Sequence, residues 1–167
     1  NIIFATCRDL DRIPSFALRR AGYSMAMEKN GLKPEIIFAD HNYWQGPDEE
    51  KLLLDKINSM KAGGRAPTCI FSSVHTPVVE FLALLKRNSL KVPEDISLCS
   101  FGCTPSTSTI VSKFRVGSLT YVEEQFDVMG SIALEILSMK GSSSLPLSML
   151  VPSKIIEGSS VRNLAKN

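Results

Sequence analysis

Short apolar, β-branched runs alternate with longer segments of helical period along almost the whole chain, and this alternation constrains the fold more than any other feature. Strands are expected at 1–6, Glu35–Ala39 (EIIFA), 68–72 (TCIFS), 96–101 and 119–122, with a last one near 149–156. Helices are expected between them. The first starts at Ser15, read as its N-cap, and stops at Gly31 with Pro34 beyond. A second runs from Asp48 to about Met60, and Gly63-Gly64 and Pro67 then break the chain. Thr76-Pro77 opens a third to Asn88, and a fourth covers 123–140, followed by a Gly/Ser linker at 141–144. Strand and helix in regular order imply a parallel sheet with helices on both faces, and unbroken apolar runs such as Ile2–Ala5 suit strands buried on both sides. In open sheets of this kind ligands bind beyond the carboxyl ends of the strands, which puts a site on the loops 7–15, 40–47, 72–77 and 101–107.

The 167 residues suffice for one domain. A net charge of +2 from scattered Lys and Arg offers none of the dense positive stripe that DNA binding requires, so these residues are not expected to touch nucleic acid themselves. Cys7, Cys69, Cys99 and Cys103 form no CxxC pair, and Cys69 and Cys99 fall inside strand candidates. Reduced, structural thiols and a cytoplasmic location are expected. His41 and His75 lack partners at metal spacing, so no metal and no cofactor is expected. No stretch approaches the roughly 20 apolar residues of a membrane span. The chain opens inside a strand candidate, as expected of a piece of something longer.

Nucleotide and hydrolase chemistry find no support. There is no GxGxxG after a strand, no GxxxxGK and no GxSxG elbow. His75 with Cys103 or Ser73 is the only catalytic pairing to consider, and no spacing signal joins them. The chain is therefore not expected to be an enzyme.

Lys91-Val92-Pro93-Glu94-Asp95-Ile96-Ser97-Leu98 carries a clear family resemblance. "VPEDISL", after a helix and leading into a strand, is very similar to a hallmark of lactose/purine repressor (LacI/GalR-type) regulators. Arg19-Arg20-Ala21-Gly22-Tyr23, Ala66-Pro67-Thr68-Cys69-Ile70-Phe71 and Ser118-Leu119-Thr120-Tyr121-Val122 with Gly130 resemble further segments of that family in order and spacing. Ile156-Glu157-Gly158-Ser159-Ser160 matches its close loosely. The resemblance implies a Rossmann-like α/β sheet, one lobe of a type I periplasmic-binding-protein-like fold. It assigns about 1–113 and 145–167 to the C-terminal lobe and has 114–144 cross to a mostly absent N-terminal lobe, with strand 119–122 on the far side.

The resemblance also implies a site. Arg19 matches the family's ligand-gripping arginine, whose guanidinium fork suits paired hydroxyls or a carboxylate. Ser15 falls at a neighbouring contact position. Trp44, with Tyr43 beside it, matches an aromatic that stacks on the ligand, and Phe126 matches another. Arg19 and Trp44 are expected to face one cleft. Val74-His75 and Gly102 stand where the family carries polar hooks (Asn-Asp and Asp). His75 is a candidate replacement and Gly102 cannot be, so an ordinary sugar held in the ordinary way is not expected.

The function implied is allosteric repression: a sugar-like or related small-molecule effector, a homodimer formed through the Val78–Leu85 helix and the 99–110 region, and operator DNA bound by an absent helix-turn-helix head. A solute-binding protein of the same fold for transport or chemoreception is the alternative, and an enzyme on a flavodoxin-like sheet a third. The apolar helix 123–140 is expected to leave a patch that promotes self-association.

Overall fold

The computed structural model describes residues 1–40, 44–138 and 148–163. Its strands are β1 (Ile2–Cys7), β2 (Glu35–Ala39), β3 (Cys69–Ser72), β4 (Ser97–Phe101), β5 (Thr120–Glu123) and β6 (Lys154–Ile156). They form one sheet in the order β2-β1-β3-β4-β5-β6, parallel throughout except for the antiparallel edge pair β5–β6. The expected α/β architecture is present, with that antiparallel edge as its one departure from a purely parallel sheet.

Side chains alternate across the sheet as the pleat requires. Ile3, Ala5, Ile37, Ile70 and Leu98 point to one face, where Leu53 and Ile57 of α3 (Pro47–Ala62), Phe81 and Leu85 of α4 (Val78–Arg87) and Val111 of α5 (Pro105–Lys113) close a continuous core. Phe4 points to the other face and stacks on Tyr23 of α2 (Pro14–Lys29), with Met27 beside it. The Tyr23 hydroxyl donates to the Ile2 carbonyl at 2.7 Å and accepts the Glu35 amide at 3.0 Å, fastening β1, β2 and α2 together.

Several expectations change. Ser15 is not a cap: α2 begins at Pro14 with Ile13 as its N-cap, because the fixed φ of proline and its missing N–H suit the first helical position. Asp48 is likewise not a cap, since Pro47 follows Gly46 at the start of α3. The polar segment after β1 contains a short helix, α1 (Arg8–Asp11), whose cap is the Cys7 thiol accepting the Leu10 amide at 3.3 Å. Helix α5 was not foreseen, because Ser and Thr compete for backbone hydrogen bonds and read as loop. Thr104 turns that tendency to use by accepting the Thr107 amide as N-cap.

The expected crossing near 114–118 is corrected too. β5 does not leave for another lobe: Ser100 pairs with Tyr121 and Phe101 with Val122, so it continues the same sheet. The departure comes after it, in α6 (Phe126–Ser138), which has no buried residue. The chain returns as β6 and is clasped at 158–160. Ser160, fully buried, donates to the Leu98 carbonyl at 2.6 Å and accepts the Thr120 amide at 2.8 Å. A Cβ on Gly158 would meet the Leu119 backbone at 2.5 Å, so only glycine allows this approach. The Gln125 side-chain amide donates to the Pro152 carbonyl, tying the outgoing strand to the returning one.

The apolar stripe of α4, matched in sequence to a dimer surface, is interior. Val78, Phe81, Leu82, Leu84 and Leu85 are all buried in this single chain. Among the described residues no helix is long and apolar enough to cross a membrane, and no three metal-ligating side chains gather.

Candidate functional site

The carboxyl ends of β3, β4 and β5 run into tight turns that open a cleft of about 420 Å³ between them and α2. After β3, the Ser72 hydroxyl donates to the Val74 carbonyl at 2.6 Å, and the buried Ser73 hydroxyl donates to Thr6 Oγ1 at 2.9 Å. After β4, Ser100 donates to the Gly102 carbonyl at 2.7 Å, and Gly102 takes a φ of +68° that glycine adopts without strain. These bonds keep the turns satisfied internally and leave their outer edges facing the cleft.

Arg19 reaches across from α2. Its Nη1 donates to the Ser73 carbonyl at 2.9 Å, and its Nη2 pairs with the Glu124 carboxylate. The guanidinium lies 4.6 Å from the Phe16 ring centroid and 4.5 Å from that of Phe101. Both rings are within cation–π reach of it, contacts that suit a planar cation. With side-chain exposures of 16% and 21%, the Arg19–Glu124 pair is shielded enough to hold a fixed geometry, unlike the exposed Arg8–Asp40 pair. Glu124 Oε2 lies 3.4 Å from where a Cβ on Gly102 would stand. Position 102 has no side chain of its own, and a carboxylate from just past β5 stands beside it.

His75 lines the same cleft. Burial pushes its imidazole below the usual range, the Glu124 carboxylate pulling the other way, so the ring is neutral near pH 7. Burial also raises the Cys103 thiol and the Tyr121 phenol. Nothing in the cleft has the lowered thiol of a nucleophile.

Of the residues expected at a site, Arg19, His75 and Phe126 are brought together. Ser15 is exposed and does not line the cleft. Trp44 does not share it, contrary to expectation: it is buried, packs edge-on against Phe81 with centroids 5.0 Å apart, and faces a separate cavity beside Gly46, Glu49 and Arg87. Burying the indole against the α4 core prevailed over presenting it to a ligand. Tyr43 lies outside the described residues. Phe16, Phe101 and Glu124 were missed. The signal for Glu124 is its place just past a strand, the same reasoning that selects the other loops, but the family resemblance puts that strand in another lobe.

Comparison with known proteins agrees with this architecture. Residues 1–161 match the family of periplasmic binding protein-like domains. A probable opine utilization operon repressor from Rhizobium rhizogenes is 27% identical over 154 residues, which cover 89% of this chain and 72% of that protein. A PurR family transcriptional regulator from Vibrio parahaemolyticus superposes with a TM-score of 0.70 at 21% identity, over 97% of this chain and 55% of that one. A dimeric Lac repressor superposes with a TM-score of 0.70 at 17% identity, over 96% of this chain and 55% of that one. The chain thus spans about half the length of these solved structures. The relatives are transcription regulators and not enzymes. With its six-stranded sheet, the cleft at its strand ends and a match over 1–161, the chain belongs to the periplasmic binding protein-like domain family.

Proposed function

We propose that the chain is the effector-sensing part of a transcriptional repressor, in which a small molecule held at the strand ends controls DNA binding elsewhere in the protein. The observation that carries this reading is Arg19, which lines the cleft within cation–π distance of Phe16 and Phe101 and pairs with Glu124. A preorganised cation–carboxylate pair beside aromatic rings is a recognition device, and the cysteine that lines the cleft, Cys103, has a raised thiol and not the lowered one of a nucleophile. A guest that engages Arg19 or Glu124 acts on the root of α6, two residues beyond Glu124, and so on the segment that leaves the sheet. A difference in affinity between two positions of that segment is what couples a ligand to a distant site, typically by about 1–3 kcal/mol. In this reading the DNA-contacting helix-turn-helix lies outside residues 1–167, the protein acts as a homodimer in the cytoplasm, and the relative named for opine utilization points to a related metabolite as effector.

A thermal-shift screen of sugars, nucleobases and organic acids tests the reading, since a ligand that binds only the folded state raises the melting temperature. At least one class is expected to do so, and Arg19→Ala, which breaks the ion pair and frees the Glu124 carboxylate, is expected to change the shift. A screen in which no compound moves the melting point, or in which Arg19→Ala leaves the shift unchanged, rejects it.

A further inference from the structure

The charge of the cleft narrows what it holds. Among the described residues Arg19 is the one Lys or Arg lining it, against the carboxylates of Glu123, Glu124 and Asp127; one positive and three negative groups leave a formal −2 among them with His75 neutral. Arg19 is already committed to the Ser73 carbonyl and to Glu124, with the Phe16 and Phe101 rings within cation–π distance. Glu123 and Asp127 have no ion-pair partner among the described residues; Lys154 stands opposite Glu123 in the β5–β6 register without forming a pair. Tyr121 and Phe126 line the same space, and Phe126 is 70% exposed, an aromatic left uncovered at a cavity mouth.

A neutral polyol leaves these carboxylates without a counter-charge, and an anion is repelled by them. A compact cation answers the carboxylates with charge-assisted hydrogen bonds and the rings with cation–π contact. We infer that the effector of this cleft carries a protonated amine or guanidinium, gripped by Glu124 beside Gly102, with Glu123 and Asp127 around it and Tyr121 and Phe126 as its aromatic walls. The inference rests on the effector-binding reading above and goes past it by naming the ligand's charge.

Agmatine, glucose and gluconate serve as cationic, neutral and anionic probes, titrated calorimetrically into the 167-residue chain at low and high salt. Agmatine is expected to bind tightest and to weaken with salt, as attraction between exposed charges does. Glu124→Gln should lower its affinity about tenfold or more, the size of one charge-assisted hydrogen bond. Asp127→Asn, at an exposed position in the first turn of α6, should lower it by a smaller factor and guards against a folding defect in the first variant. Tighter binding of glucose or gluconate, or agmatine affinity indifferent to both substitutions, overturns the charge inference and leaves the effector reading standing. If none of the three binds at millimolar concentration, the charge inference falls, and the wider thermal-shift screen decides the effector reading.

Discussion

Helices α4 and α6 are both rich in apolar residues, and the fold treats them in opposite ways. α4 buries Val78, Phe81, Leu82, Leu84 and Leu85. α6 buries nothing, and Phe126, Leu134 and Leu137 are 70%, 69% and 81% exposed. Composition does not separate them; connection does. α4 lies between two neighbouring strands of one parallel sheet, so the right-handed crossover lays it back on the sheet it came from. α6 follows β5, and the chain comes back only as the antiparallel edge strand β6, so nothing obliges it to pack on its own sheet. An apolar helical stripe therefore says that something covers it, and only topology says whether the same sheet does so.

The sharpest way to break this comparison is truncation on each side of it. Phe81→Ala removes a fully packed ring that also supports Trp44, and should lower stability by about 3–5 kcal/mol in chemical denaturation. A loss under about 1 kcal/mol would mean that the α4 face is not the continuous core described.

Ser160→Ala probes the clasp where the open side begins. It strands the Leu98 carbonyl and the Thr120 amide in a buried setting, for an expected loss of about 2–3 kcal/mol. A neutral result would place the boundary between firm and loose structure further inside the sheet.

Glu35 tests the closed side by pH. Burial works against its charge, yet hydrogen bonds from Lys56 at 2.5 Å and Arg65 at 2.7 Å prevail and hold its carboxyl at about 2. A carboxyl lowered on folding contributes stability that is fully present above its unfolded value, near 4.3, and is lost as pH falls toward 2. Glu35→Gln should therefore cost about 2 kcal/mol at pH 7, with the gap from the parent narrowing below pH 4. A gap independent of pH would assign the loss to packing instead.

The smallest effect belongs to α6. Leu137→Ala should change stability by less than about 0.5 kcal/mol. Leu134→Glu with Leu137→Glu should leave the melting temperature in place and reduce self-association in sedimentation, because an exposed apolar patch of this kind drives association. Strictly monomeric behaviour of the parent chain at high concentration would show that the exposed face is inert.

Much of this was legible in the residues. The β–α alternation and the buried strand runs follow from periodicity, and Arg19, His75 and Phe126 from a motif register. Helix α5 was hidden by its Ser/Thr composition, whose capping use at Thr104 depends on local geometry. The sheet membership of β5 was hidden because strand pairing is not written in a strand's own pattern. That single omission carried Glu124 out of view. Trp44 misled for a different reason: a lone indole on a loop suits a ligand platform and a core plug equally, and the neighbour that decides, Phe81, is far along the chain.

The tie between Gln125 and Pro152 has a mechanical consequence. Residues 120–125 and 152–156 thus run side by side at one edge of the sheet and are fastened to each other there. Glu123 and Glu124 sit at that point. In the proposed reading, a molecule bound against them would touch the chain at the place where its outgoing and returning segments are fastened together.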